Sequence, residues 1–403
     1  MTVPLEDATT ARRADARWLA AALQASRADT LATFALVESS LSQLTVPQRE
    51  TLNPPLWELG HIGWFQAFWI ARNPLRFVGH MADPDVNRQA GGRPNADALY
   101  DSSLVAHGTR WSLPLPDPAA TRADLAEQLD GTLAWLRNAD GSDAALYFFR
   151  LALFHEDMHH EAALYMAQSL GLAVADARWQ APTLGDDCRQ LVFEAGAWTL
   201  GSSGAGFAFD NELASHAVQL PATSIDSRVA RWADFLPFVE GGGYKQPRWW
   251  SEAGAAWLAT QHAPAPRYLR RDGVNWQQWR HGAWQALNPS HAACHLSLHE
   301  AQAWCRWAGR RLPTEAEWER AAIERPADVD WGQVWEWTAS PFLPYPGFTP
   351  HPYRDYSAPW FTSRQVLRGG SHMTQPRMRH PRYRNFFQAQ RNDVPAGFRS
   401  CAV

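Results

Sequence analysis

Cysteine is scarce: four in 403 residues, with no CxxC pair among Cys188, Cys294, Cys305 and Cys401. That spacing suggests neither a disulfide framework nor a cysteine zinc site, and reduced, mostly buried thiols are expected. No apolar run approaches the roughly 20 residues a helix needs to span a bilayer, and Met1 to Arg17 has no hydrophobic signal core. The expected location is therefore the cytoplasm. A net charge of -4 gives no electrostatic reason to expect nucleic acid or an anionic membrane surface as a partner. Internal repeats and low-complexity tracts are absent as well. Small-molecule chemistry is the class that remains, and the sequence does not disclose an oligomeric state.

What is present is enough apolar material for a sizeable core, 46% hydrophobic against 19% charged residues, in a chain long enough for two or three domains. Residues 9 to 44 repeat apolar positions at helical period and predict a first long helix. Asn53-Pro54-Pro55 suits the start of a second, from about Leu56 to Arg72, which carries His61 on an aromatic face with Trp57 and Phe65. Residues 73 to 118 read as a long loop, and loops of this length are usually functional or disordered. A third helix is predicted over about 122 to 137, and a fourth from a Gly141-Ser142-Asp143 cap to Leu170, with Gly171 as its stop. Four helices in succession argue for a bundle. Beyond a boundary between about 172 and 190 the pattern changes to short runs such as 190 to 193 and 197 to 200, with helices expected only near 231 to 240, 297 to 309 and 314 to 322. The 22 tryptophans, concentrated there, suggest a loop-rich unit held by large aromatic side chains.

The densest chemical signal is Phe154-His155-Glu156-Asp157-Met158-His159-His160-Glu161. Residues four apart stack on one helical face, so His155 and His159 can aim two imidazoles at one point. Such a pair suits zinc, iron, nickel or copper, although two histidines in a polar run are also common on a protein surface. Read literally, His155-Glu156-x-x-His159 is the HExxH pattern in which a glutamate activates water on zinc. A second reading adds His61 from the facing helix, giving three histidines and no carboxylate. Glu161 is set aside as a ligand because it points about 160° away from His159 around the helix. An all-histidine face leaves three positions open on an octahedral ion, enough for redox chemistry with O₂. A third reading is a zinc ion that only pins the bundle.

The helical half, with Gly60-His61-Ile62-Gly63 and the HxxxHxE pattern of His155, His159 and Glu161, resembles the metal-binding bundle of the DinB-like superfamily. The second half is similar to the formylglycine-generating-enzyme domain, a fold related to C-type lectins. The carrying segments include His295-Leu296-Ser297-Leu298, Arg311-Leu312-Pro313-Thr314-Glu315-Ala316-Glu317-Trp318-Glu319, Val334-Trp335-Glu336-Trp337-Thr338, Leu367-Arg368-Gly369-Gly370-Ser371 and Ala396-Gly397-Phe398-Arg399. The resemblance implies an α+β chain: a four-helix bundle over 1–180, then a loop-rich α+β domain over 181–403. The pairing of the two resembles the ergothioneine-type sulfoxide synthases and their ovothiol and selenoneine relatives. In that family iron(II) on three histidines joins a sulfur or selenium donor to the imidazole of a histidine derivative, using O₂.

By that resemblance His61, His155 and His159 are the expected iron(II) ligands, and hercynine, a chalcogen donor and O₂ the expected substrates. Formylglycine-generating enzymes use a cysteine pair after the Gly-Gly-Ser motif; Ser371 to Arg384 contains none, so the second domain is expected to lend walls and contacts. Tyr353-Arg354-Asp355-Tyr356 matches a Tyr-x-x-Tyr pair of the mycobacterial-type enzymes, whose first tyrosine donates during the reaction, and this makes Tyr353 and Tyr356 the catalytic candidates. Asn385 matches a residue that contacts the histidine betaine, and Phe386 an aromatic that faces its trimethylammonium group. Two positions depart from the pattern. Met158 stands where the family often has a substrate-touching glutamine, and Phe387 where it has an acid that helps bind γ-glutamylcysteine. Together with the ending Arg384 to Asp393, these departures look most like the selenoneine-synthase branch, in which the donor is a selenosugar. The alternative within the family is a sulfoxide synthase using cysteine or γ-glutamylcysteine.

Overall fold

The structure, a computed structural model, describes residues 5–261 and 263–403. Two helices open it: α1 (Ala8–Arg13) and α2 (Ala16–Ser40). The single helix expected over 9 to 44 is broken because the Asp15 carboxylate accepts from Trp18 N and caps a new helix, which forces Ala14 into extended geometry. It also ends four residues early, at Ser40. Helix α3 (Pro55–Gln66) starts with proline in its first turn and widens into a π-type turn over Ala67–Ala71. Between 73 and 118 lie short 3₁₀ turns and α4 (Ala96–Tyr100). Asp117 caps α5 (Pro118–Leu136), and Ser142 caps α6 (Asp143–Leu170), which Gly171 ends in the left-handed conformation with φ 73°. Helices α2, α3, α5 and α6 pack against one another as a bundle. At 28 residues α6 is about 42 Å long.

The rest is mixed. Strands β1 (Gln190–Phe193), β2 (Gly196–Leu200), β3 (His216–Leu220) and β4 (Thr223–Asp226) precede α7 (Trp232–Glu240) and α8 (Glu252–Ala259), the second of which the sequence did not disclose. A meander of β5 (Leu269–Asp272), β6 (Asn275–Arg280) and β7 (Ala283–Ala286) follows, then α9 (Leu298–Trp307), β8 (Arg310–Arg311) and α10 (Glu315–Glu324). Ser297 and Glu300 close a capping box on α9, and Thr314 and Glu317 close another on α10. The remaining strands are β9 (Trp335–Pro341), β10 (Gln365–Gly369), β11 (Asn385–Phe387), β12 (Ala396–Gly397) and β13 (Cys401–Ala402). Two four-stranded sheets result, ordered β1-β4-β13-β8 and β11-β10-β9-β12. In the second, β11 is an edge strand, antiparallel to β10 with Leu367 opposite Asn385.

The fold is thus α+β, helices first and sheets after. One apolar cluster runs through both halves, from Leu19, Phe65 and Phe149 to Trp232, Trp337 and Phe398. Buried polar contacts join them too. Glu161 on α6 accepts from Trp335 Nε1 at 2.7 Å, Ser371 Oγ at 2.7 Å and Thr374 Oγ1 at 2.8 Å. Asp157 takes both Ser26 and a bidentate Arg377. Three of the four cysteines are buried and all four are free thiols; Cys188 is exposed. Among the described residues no helix is long and apolar enough to cross a membrane.

Candidate metal centre and substrate cleft

His61 comes from the middle of α3, His155 and His159 from successive turns of α6, and the packing of these two helices brings the three rings together. One ring nitrogen of each lies within 4.8 Å of the others. The His61 ring stacks on Trp57 at 4.8 Å, and its Nδ1 sits 2.7 Å from the Tyr100 carbonyl. A carbonyl only accepts, so the proton is on Nδ1 and Nε2 keeps its lone pair. His155 lies flat on Phe65, ring centroids 3.5 Å apart, and its buried Nε2 has no hydrogen-bond partner among the described residues. His159 donates from Nδ1 to Glu58 Oε2 at 2.5 Å, which again turns Nε2 away from the partner.

Electrostatics favour neutral imidazoles at the first two positions. Burial, reinforced by His159, pushes His61 down to about 3, and burial with the neighbouring histidines pushes His155 well below its ordinary value. Glu58 goes the other way. Burial opposes its charge, but His159, His61 and the Asn53 amide outweigh that and hold the carboxyl at about 2. Asn53 Oδ1 in turn accepts from Arg110, whose guanidinium lies 3.9 Å over the Trp57 ring. A second layer of Glu58, Asn53, Tyr100 and Arg110 therefore orients the histidines, and the sequence reading missed all four. Glu58 sits three residues before His61, a spacing that could have suggested a shared face; Tyr100 and Arg110 come from the long loop, where no local signal announces a role.

Glu156, the would-be base of HExxH, is buried in an ion pair with Arg27, at 2.7 Å to Nε and 3.1 Å to Nη2. With both oxygens taken on the far side of α6, it faces neither the histidines nor water. The expectation that Glu161 points away from His159 holds: it anchors the helix to the second half through Trp335, Ser371 and Thr374.

His155 and His159 open onto a cleft of about 840 Å³ between α6 and the sheet carrying β11. Every other residue singled out from the sequence lines it: Met158 from the helix, Tyr353 and Tyr356 from the loop after β9, and Asn385, Phe386 and Phe387 from β11. The Tyr353 ring meets Phe65 edge-on at 4.9 Å and lies 6.2 Å from His155. Burial raises its pKa, so the phenol keeps its proton. Among the described residues its hydroxyl has no hydrogen-bond partner, whereas Tyr356 Oη is 2.9 Å from Tyr383 Oη, which in turn reaches Met158 Sδ at 3.4 Å. Phe386 stacks one face on Phe342 at 4.1 Å, and the Arg391 guanidinium covers Phe387 at 5.1 Å while paired with Asp393. Tyr165, Tyr383 and Trp335 also line the cleft and were not foreseen.

Comparisons with known proteins bear on this geometry. Residues 22–167 match the DinB superfamily, and residues 180–326 and 329–402 match the sulfatase-modifying factor enzyme 1-like domain. The chain is 30% identical to the hercynine oxygenase of Mycolicibacterium thermoresistibile, over 91% of each chain. It is 31% identical to the hercynine oxygenase of Mycobacterium tuberculosis, over 91% of this chain and 95% of that one. A third relative, the formylglycine-generating enzyme of Streptomyces coelicolor, is 32% identical over 33% of this chain and 46% of its own length.

Proposed function

We propose, from the premise that this chain belongs to the hercynine oxygenase family, that it is an iron(II)-dependent, O₂-consuming synthase that forms a bond between the imidazole C2 of hercynine and a chalcogen donor. The observation that carries the reading is the meeting of three imidazoles, two of them buried, at the wall of a cleft that also holds the Tyr353 phenol, which has no hydrogen-bond partner among the described residues. The donor set fits a metal ion: His155 Nε2 is buried without a partner, and the Nδ1 atoms of His61 and His159 are already engaged. An orphaned buried nitrogen is costly unless something else satisfies it. Three imidazoles without a protein carboxylate suit iron(II), which when bound supplies redox chemistry with O₂ and open positions for substrate.

The chain's own groups do the rest. Tyr353 holds a proton in a dry setting beside His155 and is the group we assign to give it up during turnover; the Tyr356 hydroxyl, engaged with Tyr383, positions that wall of the cleft. The Asn385 amide and the Phe386 ring are assigned to the betaine end of hercynine, where an aromatic ring attracts a quaternary ammonium. Met158 and Phe387 give the donor side an apolar, polarisable lining, and the one carboxylate that reaches the cleft among the described residues, Glu161, is engaged by Trp335, Ser371 and Thr374. That lining favours a selenosugar over γ-glutamylcysteine and supports the selenoneine-type reading, with the sulfoxide-synthase activity as the alternative. A division of labour near residue 180, histidines before it and cleft wall after it, belongs to the same reading. A zinc hydrolase has no support in the geometry, because Glu156 is committed to Arg27.

The test is O₂ uptake and product mass by purified protein loaded with iron(II), given hercynine and a panel of a selenosugar, cysteine and γ-glutamylcysteine. Uptake is expected only when hercynine and a donor are both present, with the selenosugar giving the carbon–selenium product. Uptake with cysteine or γ-glutamylcysteine alone as donor would assign the alternative. No hercynine-dependent uptake with any donor would sink the function.

A further inference from the structure

A second cavity, sharing no lining residue with the cleft, lies between α1 and the loop after β2, open to solvent, with about 580 Å³ of space including its mouth. Its walls carry Arg12, Arg13, His380 and Arg382, and among the described residues no carboxylate lines it. Arg12 is paired with Glu212 at 2.6 and 3.0 Å, and Arg382 with Glu319 at 2.9 Å. Arg13 has no ion pair among the described residues; Asp143 feels its charge at longer range but is already bonded to Arg150 and Gly206 N. Four arginines act on His380. Burial, together with Arg12, Arg382, Arg13 and Arg368, pushes that imidazole down to about 2. Its Nδ1 accepts from Arg382 N at 3.2 Å, so the remaining proton is on Nε2.

Several other lining groups can donate. The hydroxyls of Thr9, Ser202, Ser203 and Ser215 have no hydrogen-bond partner among the described residues. The loop that closes the cavity, Gly201 to Gly206, has left-handed backbone at Gly201 (φ 90°), Gly204 (φ 83°) and Gly206 (φ 76°). Alternation of that kind gathers successive N–H groups into a concavity that accepts anions, and the N–H groups of Ser203, Gly204 and Ala205 make no hydrogen bond among the described residues. An unpaired cation, free hydroxyls and free backbone donors around one opening, whose lining carbonyls of Thr199 and Gly201 are already taken by Arg382, describe a receptor for a tetrahedral oxyanion.

We propose that this cavity is a binding site for a phosphate group, held by Arg13, His380 Nε2–H and the Ser202–Ala205 loop, separate from the reaction cleft. The site goes beyond the function proposed above, and its test does not depend on that function. Isothermal titration of the intact protein, without hercynine or donor, is carried out with inorganic phosphate, glucose 6-phosphate and ADP, against chloride at equal ionic strength. One saturable site is expected, weakened at least tenfold by Arg13→Gln and abolished by Arg13→Glu. Arg13 is exposed and unpaired, so these variants keep the fold, which circular dichroism checks; Ser203→Asp, placing a carboxylate at the mouth, is expected to abolish binding independently. Tighter binding of glucose 6-phosphate or ADP than of phosphate identifies a phosphorylated small molecule as the occupant, and equal binding the free anion. A titration indistinguishable from chloride, or undiminished phosphate binding by both Arg13→Glu and Ser203→Asp, overturns the proposal.

Discussion

Each histidine of the candidate centre is aimed by a different partner. His61 is held by a backbone carbonyl, His159 by a carboxylate, and His155 by flat contact with Phe65. Replacing any one with alanine is expected to drop bound iron from near one per chain to a small fraction, read by metal analysis after loading. Glu58→Gln keeps the shape but exchanges an ionised acceptor for a neutral one, so iron affinity is expected to fall roughly 10–100-fold, measured by competition with a chelator; unchanged affinity would make Glu58 structural only. The two tyrosines separate by their hydroxyls. Tyr353→Phe is expected to leave iron loading and hercynine binding intact and to lower kcat by roughly 10²–10⁴-fold, while Tyr356→Phe, which removes a bond to Tyr383, changes KM more than kcat. Equal losses of kcat in both variants would refute that assignment.

At the scale of elements, the site depends on how closely α3 lies against its neighbours. A methyl group added at Gly60 would come within 2.3 Å of the Tyr100 ring, the residue whose carbonyl holds His61. Gly60→Ala is therefore expected to push α4 outward, cost about 1–3 kcal/mol by overpacking and lower iron content, checked by thermal unfolding together with metal analysis. The π-type turn over 67–71 at the end of α3 is another local departure next to the site, as such turns often are; Trp69 within it lies 6.1 Å from Tyr353. Helix α6 is clamped to the second half by Glu161. Glu161→Ala leaves Trp335, Ser371 and Thr374 short of an acceptor in a dry interface, and a loss of about 2–4 kcal/mol is expected. A denaturant midpoint unchanged from the parent would show that the contact contributes little.

Across the whole molecule, ionisable groups are buried in number. Lys245 is the single lysine, so nearly every basic group is an arginine whose planar fork can bind a carboxylate with two bonds, as Arg399 does with Glu336 and Arg377 with Asp157. Buried histidines set the response to acid. Burial lowers His295 to about 3 and both His351 and His372 to about 4, and burial with nearby arginines lowers His380 to about 2. A histidine whose folded pKa lies below its unfolded value of about 6.5 contributes stability that is present above pH 6.5 and is lost as pH falls toward the folded value, because only the unfolded chain takes up the proton. Glu300, pushed up to about 7 by burial, and Asp210, pushed up to about 6 by burial, act in the opposite sense, losing stability as pH rises through that range. Outside the candidate centre eight histidines are lowered, these four with His160, His281, His291 and His299, against five raised acids, these two with Asp157, Glu161 and Glu319, which leaves a net loss on acidification. Tm is expected to fall between pH 7 and pH 5, above the range where ordinary carboxylates titrate; a flat or rising Tm there would contradict it.

The sequence alone determined what depends on neighbours along the chain. Helical period, the Ser142 cap and the Gly171 stop placed α6, and the four-residue spacing put His155 and His159 on one face, because these are properties of a single helix. Motif order also marked the family, and with it the cleft residues from Met158 to Phe387. Contacts that cross the chain were decided only by the tertiary structure. The carboxylate behind His159, the carbonyl behind His61 and the ion pair that retires Glu156 join residues 101, 39 and 129 positions apart, and no local period encodes such pairings. The break at Ala14 shows the same limit within one element, since Asp15 fits an amphipathic helix as well as a cap. The histidine pair that reads as a zinc-hydrolase signature in isolation becomes part of a three-imidazole site once α3 packs against α6 and Arg27 takes Glu156 out of reach.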